Sequence, residues 1–391
     1  MTQTRTSATF PPPIVKAQGW TRGVTFPADR PLINVSQAAP VEPPPTALRQ
    51  VMADVALNND DVHLYGPVLG LPELRAELAS QCSTRYGGTI IGDQVAITSG
   101  CNQAFAATLM ALTTQGDEII LPTPWYFNHK MWLDMIGVSA IALKTGADLL
   151  PDPQQAAALI TPRTRAIALV TPNNPSGVEY PAPLVQAFYD LAKSRGIKLI
   201  VDETYRDFDI RNGAPHDLFK DPDWHQTLVH LYSFSKAYRL TGHRVGAVVT
   251  SRDLLGEMEK FLDTVTICPN QIGQHAALWG LQNLGDWLAG ERTEILDRRA
   301  AIEQGFPVLA EKGWTLMGLG AYFAYVEHPF AIGSDEVARR LVTEASILLL
   351  PATMFMPPSD TSGTRQLRIA FANLDRGGIG AMFERLQALT F

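Results

Sequence analysis

Seven short runs of apolar, largely β-branched residues recur between residues 94 and 250 of this 391-residue chain. They are QVAIT (94–98), EIILP (118–122), VSAIAL (138–143), RAIALV (165–170), IKLIVD (197–202), LVHLYS (228–233) and RVGAVVT (244–250). Most are separated by stretches with apolar residues at helical spacing, such as NQAFAATLMALTT and APLVQAFYDLAKSRG. Strands apolar on both faces, alternating with helices, predict an α/β fold whose mostly parallel sheet is covered on each side. RVGAVVT follows its predecessor after a loop too short for a helical crossover, so it is expected to be antiparallel or to sit apart in the strand order.

The pattern divides the chain into three parts. Residues 1–46 are proline-rich with little periodicity, and the short apolar core of RPLINVSQAAP predicts an ordered arm rather than a loose tail. Residues 47–280 begin with helical patterns, TALRQVMADVAL and LPELRAELASQCSTRYG, the second with Pro72 near its start. After about residue 280 long helical stretches precede GAYFAYVEH, ILLLPA and TRQLRIAFA, which read as strands. That texture predicts a smaller α+β domain over 281–391, on which the arm packs.

Composition narrows the classes of function. An apolar content of 46% and a charged fraction of 18% are those of a soluble globular protein. The net charge of −7, without any run of five or six like charges, argues against nucleic acid or anionic membrane as a partner. Cys82, Cys101 and Cys268 have no metal-site spacing and form no disulfide framework. With neither a signal-peptide pattern nor an apolar run of about 18 residues, the expectation is a cytoplasmic protein.

In open α/β sheets ligands sit beyond the carboxyl ends of the strands, so the residues after each run are candidates for chemistry. QVAIT leads into SGCNQAF, either a plain turn or a backbone cradle for phosphate at a helix start. EIILP leads into TPWYFNH, whose aromatics fill a core or stack on a planar ligand. RAIALV leads into the turn formers TPNNPSG. Asp202 and Glu203 end IKLIV, where a carboxylate needs a partner, structural or functional. LVHLYS leads into SFSKAYRLTGHRVG, with Lys236 and Arg244 eight residues apart. A lysine there either snorkels to the surface or, desolvated, becomes a nucleophile. No GxGxxG after a strand, GxxxxGK[ST], GxSxG or HExxH is present, which disfavours dinucleotide, nucleotide, serine-hydrolase and zincin readings.

Taken in order, YGPVLGLPELR, TPNNPSG, DETYRDF, SFSKAYRLTGHRVG and LRIAFAN resemble the motifs of the class I/II aminotransferases, fold-type I enzymes that use pyridoxal 5′-phosphate (PLP). The resemblance runs from about Asn34 to Phe371. It implies a large domain with a mixed, mostly parallel seven-stranded sheet and a smaller α+β domain. Lys236 is implied as the Schiff-base lysine and proton carrier, and Asp202 as the partner of the pyridinium nitrogen. Asn174 and Tyr205 would hydrogen-bond the phenolic oxygen, and Tyr126, or else neighbouring Trp125, would stack on the ring. Gly100, Cys101, Asn102, Ser233, Ser235 and Arg244 would hold the phosphate. Tyr65 would reach the cofactor of a partner subunit, which implies a homodimer. Arg368 would grip the substrate α-carboxylate, with Asn174 and Ala38 beside it. The substrates implied are an amino acid and a 2-oxo acid.

Departures from the family pattern bear on the substrate. Cys101 and Ala38 stand where many relatives have glycine. Trp20 resembles a pocket tryptophan of some kynurenine-type relatives, and Asn173 is expected to be structural. Thr266 and Ile267 are not basic where dicarboxylate-specific relatives carry a second arginine, which leans towards neutral or aromatic side chains unless Arg206 or Arg239 reaches the pocket. A carbon–sulfur β-lyase shares the motifs and is the alternative reaction. A PLP-binding regulatory sensor needs a further DNA-binding module, for which the sequence leaves no room.

Overall fold

A computed structural model describes residues 4–390. Residues 1–3 and residue 391, which the expected arm and small domain include, lie outside the described residues. The seven apolar runs all form strands: β1 Val95–Thr98, β2 Glu118–Thr123, β3 Ser139–Lys144, β4 Thr164–Val170, β5 Lys198–Asp202, β6 Leu228–Ser233 and β7 Gly246–Val249. They make one sheet in the order β1-β7-β6-β5-β4-β2-β3. Strands β1, β2, β6 and β7 are buried along their whole length, as expected where helices cover both faces. Strand β3, at one edge, is largely exposed or half-buried and ends in Lys144.

Only β7 is antiparallel, to β1 on one side and β6 on the other. Its first residue, Gly246, therefore registers with the last residues of both neighbours, Thr98 and Ser233. This orientation matters for function. The segment before β7, carrying Arg244, lands at the same end of the sheet as the residues after the parallel strands.

Helix boundaries follow local chemistry. The helix Pro72–Tyr86 starts with proline, whose missing N–H is no loss at the first turn, and ends on Gly87 in the left-handed conformation. The helix Ala182–Arg195 follows Pro181 and stops at Gly196 in the same way.

A second sheet of four strands lies in the C-terminal part. It comprises β8 Thr315–Gly320, β9 Phe323–Glu327, β10 Leu350–Pro351 and β11 Gln366–Ile369, in the order β10-β11-β9-β8. The run ILLLPA is divided between two sheets rather than forming one strand. Ile347–Leu348 pairs in parallel with Ile33–Asn34 of the arm, while Leu350–Pro351 pairs with β11. The arm is thus ordered, and it touches both parts of the molecule. Ile33 and Val35 belong to the core under the four-stranded sheet. Ala17, in the helix Pro13–Gly19, packs in a cluster with Phe127, Leu348 and Phe355. Among the described residues no helix is long and apolar enough to cross a membrane.

Candidate active site

A cavity of about 320 Å³ opens at the carboxyl edge of the large sheet. Nine predicted residues line it because they follow or end strands of the large sheet. Asp202 ends β5 and Tyr205 lies three residues on, Ser233 ends β6, and Ser235 and Lys236 start the short helix after it. Cys101 and Asn102 open the helix Cys101–Leu112 after β1. Asn174 comes from the turn after β4, and Tyr126 precedes the helix Phe127–Ile136 after β2. Arg244 arrives through the reversed strand β7. Arg368, on β11, and Ala38, on the arm, close the cavity from the other side.

At the Cys101–Leu112 end the structure forms a cradle for an anion. No side chain caps this helix, so its first N–H groups face outward. Gly100 has φ +88°, and a Cβ there would stand 2.2 Å from Arg244 Nη2. Gly246 is equally constrained: a Cβ would meet Gly100 C at 2.5 Å and Cys101 N at 2.6 Å. Both glycines let main chain and guanidinium approach closely. Arg244 itself takes φ +55°, left-handed backbone that costs about 1–3 kcal/mol in a non-glycine residue. Its Nη1 donates to Thr241 O at 3.0 Å and stands 3.5 Å from Ser235 Oγ.

The acidic centre is Asp202. Thr204 donates to its Oδ1 from the backbone at 3.0 Å and from the hydroxyl at 2.7 Å. His129 Nε2 lies 3.4 Å from Oδ2. Burial works to raise this carboxyl, but the hydrogen bonds and charge supplied by His129, with those of Thr204, bring it below the usual carboxylate range. His129 is in turn fixed by stacking on Phe105, with ring centres 3.7 Å apart. Tyr126 Oη bonds Asn102 Oδ1 at 3.3 Å and accepts from Asn128 Nδ2 at 2.9 Å, and burial with nearby Asp202 pushes it up to about 12.

The basic side holds Lys236 and Arg368, neither paired with a carboxylate among the described residues. Lys236 is brought down to about 7 by burial and then by repulsion from Arg244 and Arg368, and its Nζ donates to Ala38 O. Arg368 is 2% exposed. It donates to Asn174 Oδ1 at 2.9 Å and to Ser36 O, and it lies 5.0 and 4.9 Å from the ring centres of Phe323 and Phe355. Its Nε has no partner, and no carboxylate pairs with it among the described residues. Burial lowers it to about 10. A buried guanidinium left this way is strongly disposed to take an anionic ligand.

Other candidates lie elsewhere. Trp125 is buried in the core behind the cavity, and Trp20 packs in the arm cluster beneath Arg339, so neither lines the cavity. Arg206 is enclosed by Tyr86 and Tyr232, and Arg239 pairs with Glu291 and Glu42; neither guanidinium reaches the cavity. Asn173 is structural, its Oδ1 accepting from Ser176 N and Oγ. Tyr65 is 80% exposed and away from its own chain's cavity.

Sequence reasoning missed His129, Thr204 and Ile14. A signal existed for His129, which follows Tyr126 by three residues, close enough in sequence for the two rings to meet with centres 5.0 Å apart. Ile14 comes from the arm helix, whose sequence carries no sign of the cavity it lines.

These residues fit PLP on the structure's own terms. An uncapped helix start, two serines and an arginine suit its phosphate, a carboxylate held ionised suits its ring nitrogen, and a neutralisable lysine suits its aldehyde.

The comparisons agree. The family model for aminotransferase class I and II matches residues 30–386. An aromatic aminotransferase of Arabidopsis thaliana, ISS1, is 29% identical over 355 residues, covering 88% of this chain and 86% of that one. The aspartate aminotransferase of Thermus thermophilus solved with maleate superposes with a TM-score of 0.87 at 24% identity, over 97% of each chain. YbdL of Escherichia coli, reported with a methionine aminotransferase function, gives a TM-score of 0.87 at 24% identity over the full length of both chains. With a match across nearly its whole length, the chain belongs to the class I and II aminotransferases, PLP-dependent enzymes that move an amino group between an amino acid and a 2-oxo acid.

Proposed function

We propose that this aminotransferase takes an amino acid with a neutral or aromatic side chain as donor, with Lys236, Asp202 and Arg368 carrying the chemistry. The observation that supports this best is Arg368. It is a buried guanidinium without a carboxylate partner, in the same cavity as a lysine brought down to about 7. Arg368 binds the substrate α-carboxylate through its fork and so fixes the orientation of Cα. Bound PLP supplies the electron sink that makes that Cα acidic. Lys236 Nζ, brought down to about 7 and so able to give up its own proton near neutral pH, takes the proton from Cα and returns it later in turnover. Asp202, kept ionised by His129 and Thr204, holds a proton on the pyridinium nitrogen. Asn174 and Tyr205 orient the phenolic oxygen, while the helix start at Cys101 and Asn102, with Ser233, Ser235 and Arg244, anchors the phosphate.

The preference for neutral or aromatic side chains is supported by the lining itself. Ile14, Phe127 and Tyr126 face the cavity. Apart from Lys236, Arg244 and Arg368, no Lys or Arg lines it among the described residues. The Arabidopsis relative is named for aromatic substrates and YbdL for methionine, whereas the Thermus structure is of an aspartate enzyme.

The reading includes a homodimer in which Tyr65 reaches the partner's cofactor phosphate. Tyr65, Leu64 and Ile267 are exposed apolar residues on one surface, joined by the Gly66 N to Cys268 Sγ contact at 3.4 Å. It also includes a domain division near residue 280, supported by separate cores under the two sheets, and a reducing, cytoplasmic setting, supported by three free cysteines. An amino-donor screen against several 2-oxo acids, scored for transfer and ammonia release, tests the reading. Fast transfer from apolar donors is expected. Preference for aspartate, or ammonia release without transfer, rejects it.

A further inference from the structure

A second cavity, of about 220 Å³, lies apart from the cofactor site and is lined by Arg85, Arg206, Arg211 and Arg292 together with Asp209. The four guanidinium groups come from four elements. Arg85 is in the last turn of the helix Pro72–Tyr86, Arg206 begins the 3-10 turn Arg206–Phe208, Arg211 is on the loop beyond it, and Arg292 is on the helix Gly285–Gly305. Like charges around one space repel unless carboxylates or a bound anion offset them.

Carboxylates engage Arg85 and Arg211, with buried Glu203 also acting on Arg211, but they leave Arg292 without an ion pair among the described residues and Arg206 Nε without an acceptor. Arg85 Nη1 meets Asp207 Oδ1 at 2.6 Å. Arg211 forks onto Asp209, with Nε at 2.9 Å from Oδ1, and has Glu179 Oε2 at 3.8 Å. Glu179 is pushed up to about 7 by burial and by repulsion from Asp209, which weakens its offset of Arg211. Arg206, 4% exposed, stands 3.9 Å from the same Asp207 oxygen that Arg85 engages. Its Nε is buried without an acceptor, and its remaining contacts are neutral: Tyr86 Oη at 3.3 Å, Cys82 Sγ at 3.7 Å and the Tyr232 ring centre at 3.8 Å. Arg292 forms no ion pair among the described residues. It donates to the carbonyls of Asp209, Ile210 and Arg211 at 3.0–3.1 Å and to Asn212 Oδ1 at 3.2 Å.

We propose that this cavity binds a phosphate-type oxyanion, either free phosphate or a phosphate monoester, between Arg211 and Arg292 with Arg206 beneath. Guanidinium forks match phosphate oxygens in geometry as well as charge. A bound anion would brace the segment from Tyr205 to Arg211, which runs from the cofactor cavity to the small domain; Phe208 packs 5.0 Å from the ring centre of Tyr322. The site is independent of which amino donor the enzyme takes.

The test uses holoenzyme saturated with PLP, so that the Arg244 cradle is already filled. Inorganic phosphate is titrated against chloride at matched ionic strength, with calorimetric heat and the thermal unfolding midpoint as readouts. Saturable binding is expected with phosphate alone, and Arg211→Gln and Arg292→Gln should each weaken it by about tenfold or more. A response equal in chloride, or unchanged in both variants, overturns the proposal. Should either variant fail to fold, crystals of wild-type holoenzyme grown with phosphate decide: density between Arg206, Arg211 and Arg292 supports the site, and an empty cavity rejects it. Glycerol phosphate binding more tightly than phosphate identifies a monoester as the ligand, and weaker binding identifies free phosphate.

Discussion

Arg368 Nη1 donates to Asn174 Oδ1 at 2.9 Å, tying a strand of the small sheet to the turn after β4 of the large one. One bond thus joins the residue proposed to hold the substrate carboxylate to a residue proposed to orient the cofactor. Arg368→Ala should therefore act mainly on substrate binding. A charged fork lost from a buried site costs about 2–5 kcal/mol, so kcat/KM for amino donors should fall by roughly 30-fold or more, most of it in KM. Steady-state kinetics with several donors checks this, and an unchanged KM for all of them removes Arg368 from the carboxylate site.

Lys236 gives two outcomes. Lys236→Ala should abolish turnover, and borohydride should fix PLP to the wild-type chain at Lys236 alone, as read by peptide mass spectrometry. The lysine also predicts a pH effect on the apoenzyme. Its folded pKa, about 7, lies below the ordinary lysine value of 10.5. Between these the unfolded chain binds more protons, so stability rises with pH across that window. The burden of burying the charge is complete below about 7 and gone above about 10.5. Urea unfolding of apo wild type should gain on apo Lys236→Met as pH rises from 7 to 9. A constant difference between the two would show that the amine is not desolvated.

The strands were legible because each is a run apolar on both faces, and the site because functional groups collect where parallel strands end. Strand β8, TLMGLG, gave no such pattern, since its two glycines and partly exposed residues look like loop. ILLLPA reads as one strand because apolar periodicity cannot show a chain passing from one sheet to another at Leu349. The run RVGAVVT puts Arg244 inside a strand, yet its left-handed backbone ends the extended run before Gly246. Support for Asp202 from His129 was not legible because the partners lie 73 positions apart and meet only through the β5-β4-β2 strand order.

His129 offers a prediction the motifs did not. His129→Leu keeps much of the bulk stacked on Phe105 but removes a donor from Asp202, whose carboxyl should move back up. Losing a hydrogen bond to a charged group costs about 1.5–3 kcal/mol. PLP affinity should weaken roughly 10- to 100-fold, with kcat falling as well. Equilibrium dialysis and the pH dependence of the bound chromophore measure both. An unchanged PLP affinity and pH profile would mean that Thr204 alone sustains Asp202.

Gly246→Ala tests the cradle without touching a charged group. The added Cβ would stand 2.5 Å from Gly100 C and 2.6 Å from Cys101 N, both main-chain atoms with no flexible end to give way. Strand β7 and the start of the Cys101–Leu112 helix must therefore separate. Overpacking of this kind costs about 1–3 kcal/mol, and the separation moves Arg244 away from the helix N-terminus as well. The variant should lose PLP more readily than wild type while still binding the phosphate-free aldehyde pyridoxal about as well. That contrast, measured by absorbance titration, separates a distorted phosphate cradle from general destabilisation. Equal loss of affinity for both ligands would place the effect of Gly246 in the fold rather than in the cradle.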